Sequence, residues 1–125
     1  MKQFDNLKIG LAEAMLAGLV FAYPVLAADA AVPGVITILS PANGAVLQSG
    51  AQNKLEFNVQ LSPRGNHLHI YVDDRDPIIE RNVSRCPCNV TLPKLASGKH
   101  TIVVKEATVS HAMTGVESLV NVSVK

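Results

Sequence analysis

The stretch Gly65–Asp73, GNHLHIYVD, decides the fold class. Leu68, Ile70 and Val72 fall on one face and His67, His69, Tyr71 and Asp73 on the other, the period of two that marks a half-buried β-strand. Outward towards the N-terminus, Ser-Pro-Arg-Gly-Asn (62–66) is a turn, and before it KLEFNVQL (54–61) alternates in the same way, with Leu55, Phe57, Val59 and Leu61 on one face. Two such strands joined by a short Pro/Gly turn imply an antiparallel sheet.

The same rhythm extends in both directions. Val35 to Leu39 is a strand closed by Ser-Pro-Ala-Asn-Gly (40–44); after the histidine strand come Pro77 to Val83, Asn89 to Leu92, His100 to Glu106 and Val116 to Val124. No stretch beyond the leader shows ten residues of helical periodicity. Seven short strands separated by turns predict an all-β antiparallel β-sandwich, here lettered A to G in chain order.

The N-terminus reads differently. Lys2 and Lys8 stand against Asp5, and an apolar run, Ala14 to Tyr23, follows that is too short to span a bilayer. Val25-Leu26-Ala27 and Ala28-Asp29-Ala30 both present small residues at cleavage spacing, so residues 1–27 are expected to be a signal peptide, cut after Ala27 or Ala30. A lead of residues 28–34 then precedes the sandwich of 35–125. Export to the periplasm or the extracellular space, without stable membrane insertion after cleavage, is the expected localisation, and it puts both cysteines where disulfides persist.

Composition excludes some partners. Of 11 Lys plus Arg and 10 Asp plus Glu, the leader holds Lys2, Lys8, Asp5 and Glu13, so the remainder is nearly balanced. Nucleic acid is not an expected partner, because its binding needs a basic stripe. The chain has no Trp, so it also lacks a stacking platform for bases.

The segment LPKLASGKHTIVV (92–104) resembles the E–F corner of immunoglobulin-like and fibronectin-type-III-like domains, with Leu95 and Gly98 shaping the corner and His100 where an aromatic residue is usual. SPANGAVL (40–47), HLHIYVD (67–73) and LASGKHTIVVKEATVSH (95–111) extend the resemblance to secreted bacterial domains of this class. Such sandwiches host adhesion, substrate-binding and metal-binding roles, so the resemblance implies a fold more than a function. The opening SPANGAVL…KLEFNVQL also resembles small periplasmic copper-resistance sandwiches. Those carry a histidine at the mature N-terminus, where this chain has Ala28 or Ala31, so their copper site does not transfer.

In an immunoglobulin-like topology the B–C, D–E and F–G connections share one end of the sandwich. His67 starts strand C there, Cys86 and Cys88 lie in or beside the D–E connection, and His111 and Met113 lie in the F–G loop SHAMTG (110–115). His69 falls two residues further along strand C, about 7 Å from His67. His67, His69, His111, Met113, Cys86 and Cys88 therefore form a candidate metal site. Imidazole suits copper, zinc or nickel, and thiolate and thioether suit Cu(I), so the mixture leans to copper with zinc second.

Three states are open to Cys86-Pro87-Cys88: a local disulfide, a thiolate metal site, or free thiols and intermolecular links. The redox spacing Cys-x-x-Cys is absent. His100 and the acidic run Asp73–Asp76 fall at the far end, the histidine as a corner residue bonded to backbone and the run as a solvated turn.

Two functions follow. One is an exported copper or other transition-metal carrier or sensor. The alternative is a metal-free structural or protein-interaction module docking through the outer face of the C–F–G sheet, where Tyr71, Val103 and Leu119 join His69 in a mixed apolar patch. An enzyme is not expected, because no nucleophile and base are patterned into a pocket.

Overall fold

The structure is a computed structural model, and it describes residues 33–125. The expected signal peptide and most of the lead lie outside the described residues.

Among the described residues, eight strands follow in chain order: β1 (Val35–Ser40), β2 (Val46–Leu47), β3 (Lys54–Gln60), β4 (His67–Val72), β5 (Ile78–Glu80), β6 (Cys88–Thr91), β7 (Gly98–Ala107) and β8 (Met113–Val124). They form a three-stranded sheet, β1-β3-β6, and a five-stranded sheet, β2-β8-β7-β4-β5. Strands C, F and G of the sequence reading are β4, β7 and β8. The two-residue β2 carries too little pattern to be read from sequence. It adds to β8 in parallel, Val46 opposite Ser123 and Leu47 opposite Val124.

Alternation places the core. On β3, Leu55 and Phe57 are fully buried while Lys54, Glu56 and Asn58 are exposed. Leu68, Ile70 and Val72 of β4 meet Ile102 and Val104 of β7 and Val120, Val122 and Val124 of β8 in one cluster with them. Phe57 is the largest fully buried side chain in it, and truncation to Ala there costs about 3–5 kcal/mol.

β4 departs from simple alternation, because its outer face is also covered at the His67 end. The register explains the cover. His67 pairs with Ala107 and Val72 with Ile102, so the 108–112 connection from β7 to β8 turns back over the start of β4.

The two ends are pinned differently. At the His67 end the Glu106 carboxylate accepts from the Ser62 amide at 2.7 Å, the Ser62 hydroxyl at 2.5 Å and the Thr114 hydroxyl at 2.6 Å, tying the β3–β4 loop to β8. Burial alone would raise the pKa of Glu106, but these bonds outweigh it and hold the carboxyl below its ordinary value.

At the far end the His100 ring donates from Nδ1 to Asp73 at 2.6 Å and from Nε2 to the Ala96 carbonyl at 2.7 Å. The bond to backbone matches the sequence expectation for this corner histidine; the Asp73 partner is an addition.

Candidate metal centre

Strand β4 supplies two of the three groups. Residues two apart share a face, so His67 and His69 both leave the outer side of the five-stranded sheet. The third, His111, comes from the turn after β7. There the Thr108 carbonyl accepts from the His111 amide at 2.9 Å, the Thr108 amide donates to the Ala112 carbonyl at 2.8 Å, and the Thr108 hydroxyl accepts from the Ala112 amide at 3.1 Å. Closing so short a turn requires a left-handed residue, and His111 takes that role with φ 69°. The result points its ring back at β4.

The ring nitrogens form a nearly equilateral triangle. His67 Nε2 is 3.1 Å from His69 Nε2 and 3.2 Å from His111 Nδ1, and His69 Nε2 is 3.2 Å from His111 Nδ1. Two nitrogens bound to one ion at about 2.0–2.1 Å with near-tetrahedral angles stand about 3.3 Å apart. The triangle thus has the dimensions of a tridentate metal site.

Hydrogen bonding gives the same answer. His67 Nδ1 faces Asn66 Oδ1 at 2.9 Å, and His69 Nδ1 faces the Tyr71 hydroxyl at 3.4 Å. Protons assigned to those two Nδ1 atoms leave both Nε2 lone pairs aimed into the triangle. One proton on His111 can satisfy only one of them, whereas a central cation satisfies all three.

Solvent exclusion keeps the two β4 rings in ligand form. His67 is 0% exposed and His69 7%, while His111 is exposed. Burial, the largest cause, lowers the pKa of His67 and His69 from 6.5, and the neighbouring Arg81 and His111 lower both further. Neutral imidazole is the form that binds metal.

The half-buried pattern read for this strand is thus modified at His67 and His69, both of which are buried. The turn of 108–112 covers His67, and the rings lean together rather than standing a strand pitch apart.

The two cysteines do not join the triangle. Cys86 and Cys88 are disulfide-bonded to each other, and no free cysteine exists among the described residues, so neither offers a thiolate. Met113 belongs to β8 rather than to the loop, lies across Ala107 from His67, and is 41% exposed. The thiolates behind the lean towards Cu(I) are thus unavailable, and the histidine, cysteine and carboxylate donors that converge are three imidazoles.

Tyr71, Val103 and Leu119 stand opposite one another across β4, β7 and β8. Leu119 is 48% exposed. In the next row His69 is followed by Lys105 and Glu117, whose ammonium and carboxylate are 3.9 Å apart, and Lys105 also lies over the Tyr71 ring. Sequence reasoning did not single out Asn66, whose only signal is adjacency to His67, or Arg81, which only strand pairing places.

Among solved structures, the chain is similar to the fibronectin(III)-like modules of CbhA from Clostridium thermocellum, with a TM-score of 0.58 and 18% identity over 73% of this chain and 96% of that one. The described chain is a fibronectin-type-III-like β-sandwich. The sandwich is also similar, at a TM-score of 0.49 and 13% identity, to part of the extracellular domain of a hybrid two-component system from B. thetaiotaomicron, covering 74% of this chain and 15% of that one. No family model matches the chain, and no curated protein matches it by sequence. At such identities the likeness concerns the fold of the sandwich and not the histidine triangle, which is a property of this chain's own residues.

Proposed function

We propose that this chain is an exported fibronectin-type-III-like module that binds one transition-metal ion, copper or zinc, through His67, His69 and His111. The observation that carries the reading is the mutual approach of three ring nitrogens to 3.1–3.2 Å. An all-imidazole donor set suits Cu(II) and Zn(II) and gives no home to Ca²⁺ or Mg²⁺, which take oxygen ligands. Export rests on the N-terminal leader and on the Cys86–Cys88 disulfide, a bond that persists in oxidising compartments. The proposal is of a binding protein, with no enzymatic step assigned.

Titration of the purified protein with Zn(II), Cu(II) and Cu(I) by calorimetry or competition tests it. Binding of one ion per chain is expected, lost in His67→Ala and in His111→Asn and retained in His100→Ala. Absence of stoichiometric binding, or retention of it in His111→Asn, would overturn the reading.

A second reading, a metal-independent protein-interaction module, is supported by the fold likeness and by the in-register row Tyr71, Val103 and Leu119 on an exposed sheet face. It predicts a complex or dimer that forms with chelator present and is lost in Leu119→Lys.

A further inference from the structure

A trigonal ion lying in the plane of three nitrogens at about 2.0 Å would hold them about 3.5 Å apart. The observed 3.1–3.2 Å is shorter, so three imidazoles at this spacing would hold an ion from one side and would leave room for a further ligand.

Nothing in the described chain is placed to fill that position with an anion. The ligand group comprises the three histidines, with no carboxylate or thiolate among them. Nearby acids are engaged elsewhere: Glu80 accepts from the Asn82 amide, Glu117 pairs with Lys105, and Glu106 is enclosed by Ser62 and Thr114. A divalent ion on three neutral imidazoles therefore retains its full charge.

A second cation adjoins the site. Leu68 pairs with Glu80 and His69 with Ile79, so the register carries Arg81, one residue past β5, to the position opposite His67. The ion pairs among the described residues are His100 with Asp73 and Lys105 with Glu117, and Arg81 takes part in neither. A metal ion and a guanidinium side by side without an anion repel each other, and one bidentate anion would neutralise both.

We propose that the metal-loaded site takes an exogenous carboxylate, one oxygen on the metal ion and the other against the Arg81 guanidinium. This inference rests on the metal-binding reading above.

The test uses the purified protein loaded with Co(II), whose visible spectrum reports coordination, and titrates it with acetate at constant ionic strength. A saturable spectral change is expected. Arg81→Gln should weaken acetate binding about tenfold, without weakening Co(II) binding in the absence of acetate.

A second arm replaces acetate with an N-acetylated aspartyl peptide amide. Equal affinities would identify any small carboxylate as the ligand, and tighter peptide binding with the same Arg81 dependence would identify a protein side chain. No acetate-dependent change, an equal change with chloride, or one undiminished in Arg81→Gln would overturn the inference. Failure of Co(II) to bind at all would instead count against the metal-binding reading.

Discussion

His111 Nδ1 lies 3.2 Å from His67 Nε2, although 44 residues separate the two in sequence. The approach depends on two features: the antiparallel pairing that sets His67 against Ala107, and the left-handed backbone of His111 that returns its ring to β4. Because His111 is exposed, its loss should remove a ligand without opening the core. Asparagine tolerates the left-handed conformation. His111→Asn is accordingly expected to lower metal affinity by more than about 100-fold, while shifting metal-free stability by no more than about 0.5 kcal/mol. Metal competition and chemical denaturation, run on the same variant, check the two halves.

Removal of the disulfide should leave the metal site intact. Cys86 and Cys88 are two residues apart, so the bond closes a very short loop. Loop-closure entropy for so short a ring contributes only about 1.5 kcal/mol. The double variant Cys86→Ser, Cys88→Ser should lose no more than that by denaturation and should bind metal with unchanged affinity. A large loss of affinity would return the sulfurs to the ligand set.

The pair His100–Asp73 predicts a pH dependence for the metal-free protein. The Asp73 hydrogen bond, followed by the Ala96 carbonyl, raises the pKa of His100 above 6.5. Its contribution is full below 6.5 and is lost as pH rises through the folded value. Burial alone would raise Asp73, but the bonds from His100 and the Thr101 amide prevail and lower it below 3.8. Its contribution is full above 3.8 and is lost as pH falls through the folded value. The pair should therefore contribute most between those two ordinary values. Asp73→Asn keeps a residue suited to the φ of 55° there and should cost on the order of 1 kcal/mol at pH 5–6. Denaturation midpoints measured across pH should show the variant losing the alkaline-side decline attributable to His100.

Gly65 leaves room for the Glu106 carboxylate. A Cβ built at Gly65 would overlap Glu106 Oε2, and three hydrogen bonds hold that carboxylate in place. Gly65→Ala should destabilise the protein by about 1–3 kcal/mol. Glu106→Ala should relieve that clash, so the double variant should lose less than the sum of the single losses. Additive losses in a double-mutant cycle would show that the two residues do not share the site.

Strand alternation in Leu68, Ile70 and Val72 was legible from residue order alone, because a β-strand sends neighbours to opposite faces whatever its surroundings. The same local rule put His67 and His69 on one side and, with antiparallel order, brought His111 to their end of the sandwich. The sequence by itself therefore determined the all-β class, the core-facing residues and the set of groups at one end. Tertiary structure decided which of those groups meet. Cys86 and Cys88 bonded each other, Met113 joined β8 across Ala107, Arg81 was carried opposite His67 by the pairing of β5 with β4, and His67 was buried beneath a turn more than 40 residues away. Each of these outcomes depends on register between distant strands and on the closure of one turn. A period-two pattern carries no information about either, since every register that buries the same face satisfies it equally.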